Sequence, residues 1–150
     1  TFFLMGENIA GKEELVQRMQ ADGHLIGNHS YRHIQMTKEG AEQACAEIEQ
    51  TEGICRIRKE FQAEDVEDMC FEQLECRVNL TTVLWNVDSL DWKFQNTKRI
   101  VRRVEKDVKD GDIILMHDIF PTSVEAALQI VDDLQAQGYE FVTVEELLVD

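Results

Sequence analysis

Basic residues are scarce. Lys and Arg total 15 against 30 Asp and Glu, leaving a net charge of -15. That field repels phosphate backbones, so nucleic acid is not expected as a partner. It selects no substrate, because acidic surfaces are common on proteins that bind neutral ligands. CxxC pairs are missing: Cys45, Cys55, Cys70 and Cys76 are too widely spaced for one. Zinc ribbons and thioredoxin-type redox sites therefore have no support, and buried free thiols are a simpler reading than a disulfide framework. No apolar run reaches the roughly 18 residues of a membrane span. The chain also opens on Thr1, without an initiator methionine or a targeting segment. This start reads as the middle of a domain, and says nothing of where the intact protein works.

What is present suits one folded domain over 1–150. The length allows a hydrophobic core, and an apolar fraction of 43% is that of a globular chain. TFFLM, closed by Gly6, predicts a strand. Leu15, Val16 and Met19 recur at helical spacing until Gly23, and Leu25 and Ile26 give a short second strand. Ala41, Ala44, Cys45 and Ile48 predict another helix, with Thr37 as its cap.

Residues 51–82 are highly charged with patchy periodicity, and a helix is placed near 64–76. VLWNV at 83–87 predicts a strand, and Ile100, Val101, Val104 and Val108 stripe the helix after it. IILM at 113–116 predicts a strand covered on both faces. Ser123 is expected to cap a helix burying Val124, Ala127, Leu128, Val131 and Leu134, and ending at Gly138. YEFVTV is the last expected strand, before EELLVD.

Alternating strands and helices predict an α/β fold with parallel pairing. In such folds, sites gather at the carboxyl ends of strands. His29, His33, Asp88, Asp91, His117 and Asp118 all fall just past predicted strand ends. His29 and His33, four apart in GNHSYRH, have a spacing that lets both rings face one metal. Two imidazoles suit Zn²⁺, with Co²⁺ or Ni²⁺ also compatible, but a catalytic site wants a third ligand and an open position. The competing reading is a polar turn. His24 is expected at the surface on the far side.

His117 follows IILM directly, which would bring it out of the sheet's floor as a general acid or base. Alternatively, it merely hydrogen-bonds the next loop. Asp91, from VDSLDW, could hold that imidazole in one tautomer and favour its protonated form. Trp92 either walls a pocket or packs in the core. Asp118 is a candidate cap for the next turn. Tyr31, Asp88 and Trp92 are the candidate pocket residues.

In order and spacing, these stretches resemble the polysaccharide deacetylase family, the NodB-like domain of carbohydrate esterase family 4. TFFLMGENI is similar to its second strand, and GHLIGNHSYRH to its histidine motif. VLWNVDSLDW resembles its aspartate–tryptophan motif, GDIILMHD its leucine–histidine motif, and GYEFVTVEELL its last strand and helix. The resemblance implies a distorted (β/α) barrel, here a partial domain incomplete at its N-terminal end. It implies a divalent metal, commonly zinc, held by His29, His33 and an aspartate. It further implies removal of N-acetyl, or on some glycans O-acetyl, groups from peptidoglycan or chitin-like sugars. An aspartate base would activate the attacking water, His117 would protonate the departing amine, and Asp91 would tune His117.

Two departures from the family pattern stand out. No aspartate pair precedes TFFLMG, so the base and the third ligand are expected outside 1–150. KEFQAEDVEDM occupies the place of an arginine–proline–proline motif, and Pro121 is the only proline in the chain. The alternative is therefore a catalytically inactive, glycan-binding relative. The resemblance also implies an extracellular or cell-surface location.

Overall fold

The computed structural model describes residues 1–55 and 80–149, and the helix expected near 64–76 lies outside them. Two compact units emerge, Thr1–Thr82 and Val83–Asp150. Among the described residues, each holds one small parallel sheet with helical crossovers. This is the α/β architecture of a distorted, incomplete β/α barrel; among the described residues neither sheet closes.

In the first unit, β1 (Phe2–Leu4) pairs in parallel with β2 (Ile26–Asn28), Phe2 opposite Ile26 and Leu4 opposite Asn28. Parallel neighbours need a crossover, and α1 (Glu13–Ala21) supplies it. Gly23 takes a left-handed φ of 88°, which lets the amide of His24 return to the Met19 carbonyl and stop the helix. Ile9, Val16 and Ile26 form the core, with Phe2, Leu4 and Met19 against them. His24 is exposed, edge-on to the Phe2 ring.

The helix α2 (Ala41–Cys55) begins four residues after Thr37. Thr37 therefore does not cap it, but sits in a separate 3-10 turn, Met36–Lys38. Its buried stripe is Ala44, Glu47 and Thr51, with Cys45 and Ile48 half-buried and Ala41 exposed. Cys45 is disulfide-bonded, so the free-thiol reading fails for that residue.

In the second unit, β3 (Val87–Asp88) pairs in parallel with β4 (Ile114–Leu115). The expected strand over 83–87 is thus mostly irregular chain, with a bend at Asn86 and with Leu84 and Trp85 exposed. IILM is half-buried rather than covered on both faces. Between these strands come α3 (Asp91–Phe94) and α4 (Thr97–Asp107); α5 (Pro121–Ala136) and α6 (Val144–Val149) follow. YEFVTV forms no ladder among the described residues, and Phe141 and Val142 are exposed. A β-capable run needs a partner strand to become one.

Ile100, Val101 and Val104 are buried as their spacing predicts, and meet Ala126, Ile130 and Leu134 of α5. Each large aliphatic side chain so buried contributes about 1.5–3 kcal/mol. Leu134 is buried on α5 as expected, but the rest of the inward face is Ser123, Ala126 and Ile130, while Val124 and Leu128 are exposed. Small residues at 123 and 126 fill the inward positions nearest the helix start. Pro121 opens the helix with Phe120 as its N-cap, so Ser123 lies inside the first turn and is not the cap.

Asn96 caps α4, its side-chain oxygen accepting from the Arg99 amide at 3.0 Å. Asn96→Ala is expected to destabilise the second unit by about 1 kcal/mol, read as a lower midpoint in thermal unfolding followed by near-ultraviolet circular dichroism. An unchanged midpoint would show that the cap contributes nothing.

Candidate functional site

Chemistry-bearing residues collect at the carboxyl end of each sheet. In the first unit, β2 runs into the loop 29–33, and nearly every backbone amide there is accounted for. The His29 amide donates to the Leu4 carbonyl at 3.0 Å, extending the β1–β2 ladder. The Ser30 amide donates to Asn28 Oδ1 at 2.9 Å, and the His33 amide to Ser30 Oγ at 3.0 Å. Gly6 and Glu7 donate to the carbonyls of Ser30 and Tyr31 at 2.9 and 3.0 Å. Ser30 and His33 sit at φ 59° and 56°. Left-handed backbone at two non-glycine residues costs free energy, and the short polar side chains of Asn28 and Ser30 hold it in place.

The loop brings the two imidazoles together, with ring centroids 4.5 Å apart and planes tilted by 52°. Both side chains are exposed. Tyr31 is half-buried and its ring packs against Gly6: a Cβ on Gly6 would come within 2.6 Å of that ring and 2.5 Å of Thr51 Oγ1. Arg32, between the histidines, reaches back to α2. Its amide donates to Glu47 Oε2 at 2.6 Å, and its Nε and Nη2 to Oε1 at 2.8 and 2.7 Å. Glu47 is 2% exposed. Burial acts to raise its pKa, but the Arg32 amide and guanidinium and the Tyr31 amide more than offset that, so the carboxyl lies below the ordinary glutamate value.

In the second unit, the turn after β3 delivers Asp91. Asp88 Oδ1 accepts from the Leu90 amide at 2.9 Å and Ser89 Oγ from the Asp91 amide at 3.3 Å, around Leu90 at φ 52°. The Asp88 carbonyl accepts from Arg103 Nε at 2.7 Å. Asp88 therefore shapes this turn. Asp91 is fully buried and engages His117 twice: Oδ1 meets Nδ1 at 2.8 Å, and Oδ2 accepts the His117 amide at 2.7 Å. Oδ1 also accepts from the Trp92 amide at 2.9 Å.

Burial raises the Asp91 pKa, yet the His117 side chain and amide and the Trp92 amide leave it below the ordinary aspartate value. With Asp91 on Nδ1, the imidazole is fixed in ring orientation and keeps Nε2 for other partners. His117 is about a third exposed, and Trp92 is 52% exposed rather than in the core. Asp118 is exposed.

The profile of the polysaccharide deacetylase family matches residues 1–58. The chain is 35% identical over 150 residues to the peptidoglycan-N-acetylmuramic acid deacetylase PdaC of Bacillus subtilis, covering 98% of this chain and 32% of that protein. The solved structure of that peptidoglycan deacetylase superposes with a TM-score of 0.83 at 34% identity, covering 97% of this chain and 74% of the solved chain.

The chain belongs to the polysaccharide deacetylase family. It spans about a third of the length of the curated relative PdaC. The fold is shared more widely: a family 4 carbohydrate esterase pseudoenzyme from Bacillus anthracis superposes with a TM-score of 0.80 at 23% identity, covering 98% of this chain and 54% of the other.

Members of this family characteristically use a divalent cation, and the donors here can be tested against one. Two imidazoles at this separation can each turn a nitrogen towards a common ion, so the pair fits part of a zinc-type set. Among the described residues no group of three His, Cys, Asp or Glu could hold a metal ion. Nor, among them, is any helix long and apolar enough to cross a membrane.

Sequence reasoning singled out the histidines and Asp91 as candidates but passed over Glu47, Arg32, Asn28 and Ser89, whose side chains hold the same loops. The detectable signal for Glu47 was its place three residues after Ala44, on a helical stripe that burial requires to face inward.

Proposed function

We propose that this chain acts on an acetylated peptidoglycan-type glycan: as a metal-dependent deacetylase where its metal site is completed, and as a non-hydrolysing glycan-binding domain where it is not. The observation carrying the first reading is the buried Asp91 carboxylate bonded to His117 Nδ1 at 2.8 Å. This orientation suits proton transfer, whereas in a domain that only bound glycan the pair would contribute stability alone. The donor count favours the second reading, and on the described residues alone that reading is the better supported.

In the hydrolytic reading, His29 and His33 would hold Zn²⁺, Co²⁺ or Ni²⁺ together with a carboxylate outside the described residues. When bound, the cation supplies Lewis-acid polarisation of the acetyl carbonyl and an acidified water. The chain's own contribution is proton transfer. His117 Nε2 protonates the departing nitrogen, without which an amine anion is a very poor leaving group. Asp91 holds Nδ1 and stabilises the charged ring. The exposed Trp92 would give the sugar a stacking surface. The disulfide at Cys45 fits a protein working in an oxidising, extracellular or cell-surface setting, as do peptidoglycan substrates.

Two measurements separate the readings. Anomalous scattering at the zinc edge, on crystals grown with Zn²⁺, is expected to place an ion between the His29 and His33 rings; an empty map there sinks the metal site. Acetate release from acetylated peptidoglycan, abolished by chelation and restored by Zn²⁺, is expected for the deacetylase. Retention on that peptidoglycan with no acetate released under any metal would establish the binding domain.

A further inference from the structure

The tie between Glu47 and the histidine loop goes beyond the ligands themselves. We propose that Glu47 is a positioning residue: from its buried place on α2 it grips Arg32, and so fixes the directions in which His29 and His33 present their rings. This inference rests on the metal-site reading of those two histidines.

Three observations carry it. First, one carboxylate takes three donors from a single residue, through an amide at 2.6 Å and a guanidinium fork at 2.8 and 2.7 Å. The amide bond makes the grip a backbone constraint, not only a side-chain ion pair. Second, Arg32 directly precedes His33, whose left-handed φ of 56° requires external restraint. Third, the same turn of α2 binds the other end of the loop. The Ile48 carbonyl accepts from Asn28 Nδ2 at 2.9 Å, and Asn28 Oδ1 in turn holds the Ser30 amide. Helix α2 therefore fastens the loop on both sides of His29.

The chemistry demands a carboxylate. Glutamine offers one acceptor oxygen and an NH2 group, so at least one Arg32 donor would face another donor. Aspartate is one methylene shorter and withdraws from the amide. A buried carboxylate is also costly unless its partners are in place, so any loop conformation that moves Arg32 away is penalised. That penalty makes the loop nearly single-valued. Groups that orient metal ligands in this manner are worth about 10- to 100-fold in affinity.

The test uses the full chain, wild type and Glu47→Gln, with Zn²⁺ affinity measured by chelator competition and amide exchange measured by NMR. Glu47→Gln is expected to weaken Zn²⁺ binding by about 10- to 100-fold and to speed exchange at the Arg32 and Tyr31 amides. The amide of Val16, bonded to the Lys12 carbonyl at 3.2 Å in the core of the same unit, should keep its protection, which separates a local release from unfolding of that unit. Arg32→Lys keeps the backbone amide and a positive charge but loses the guanidinium fork, and should weaken Zn²⁺ binding less than Glu47→Gln.

Unchanged affinity and unchanged exchange in a folded Glu47→Gln protein overturn the proposal. So does an unprotected Arg32 amide in the wild type, a result that does not depend on any variant folding. If wild type binds no Zn²⁺, the metal-site reading falls. The exchange data and the His29 and His33 ring nitrogen shifts then still decide whether Glu47 sets the loop.

Discussion

His117→Ala in the intact protein is expected to lower kcat on an acetylated glycan by about 10²- to 10⁴-fold, the range for loss of a positioned general acid. That corresponds to about 3–5 kcal/mol of barrier. The expectation follows from how the ring is held. Asp91 occupies Nδ1 at 2.8 Å and the backbone amide of the same histidine at 2.7 Å. The ring therefore has one orientation, and Nε2 is its working nitrogen. Proton delivery from Nε2 matters when the tetrahedral species collapses, not when substrate binds, so KM should change little. Zn²⁺ affinity should also hold, because in the proposed site His29 and His33 supply those nitrogens. Steady-state kinetics beside a Zn²⁺ titration separate the effects. An unchanged kcat in the variant, with metal still bound, would remove His117 from the chemistry. A large rise in KM at constant kcat would reassign it to substrate binding.

The candidate residues that sequence singled out are those whose position follows from chain direction. Histidines and aspartates just past strand ends stand out, because strands in parallel sheets deliver their carboxyl ends to one edge. The stripe Ile100, Val101 and Val104 is equally legible, since apolar residues at helical spacing stand among lysines and arginines. The face of α5 is not. Its apolar residues occur on two sides, and the inward positions nearest its start are the small Ser123 and Ala126, while Leu128 faces out. YEFVTV has strand propensity but no ladder among the described residues, and propensity alone supplies no hydrogen bonds. Glu47 is the most instructive omission. Glutamate on a helix ordinarily means a solvated face, and only the donors on Arg32 make its burial tolerable. No periodicity argument contains that partner, which lies 15 residues away.

Asp91→Asn is expected to destabilise the second unit by about 1–3 kcal/mol for each buried donor left without an acceptor. Asparagine has nearly the same shape, so packing around it is kept and the loss is electrostatic. Its single acceptor oxygen can replace Oδ1, satisfying the Trp92 amide and Nδ1–H, but then its NH2 faces the His117 amide, donor against donor. Flipped, it satisfies the His117 amide and confronts Trp92 and the ring instead. Neither arrangement satisfies all three. The catalytic loss should be smaller than for His117→Ala, because the imidazole remains. The pH dependence has a definite sign. Asp91 is held below the ordinary aspartate value in the folded state, so the unfolded chain takes up this proton first as pH falls. Its stabilisation is fully present above the unfolded pKa of about 4 and declines as pH falls towards the folded value. The gap in unfolding free energy between wild type and Asp91→Asn should therefore be widest near neutral pH and narrow below about pH 4. Denaturant unfolding across an acid series, followed by near-ultraviolet circular dichroism, measures that gap directly. A gap that stays constant into acid would mean that Asp91 is already protonated in the folded protein, and would contradict its bond to His117 as a carboxylate.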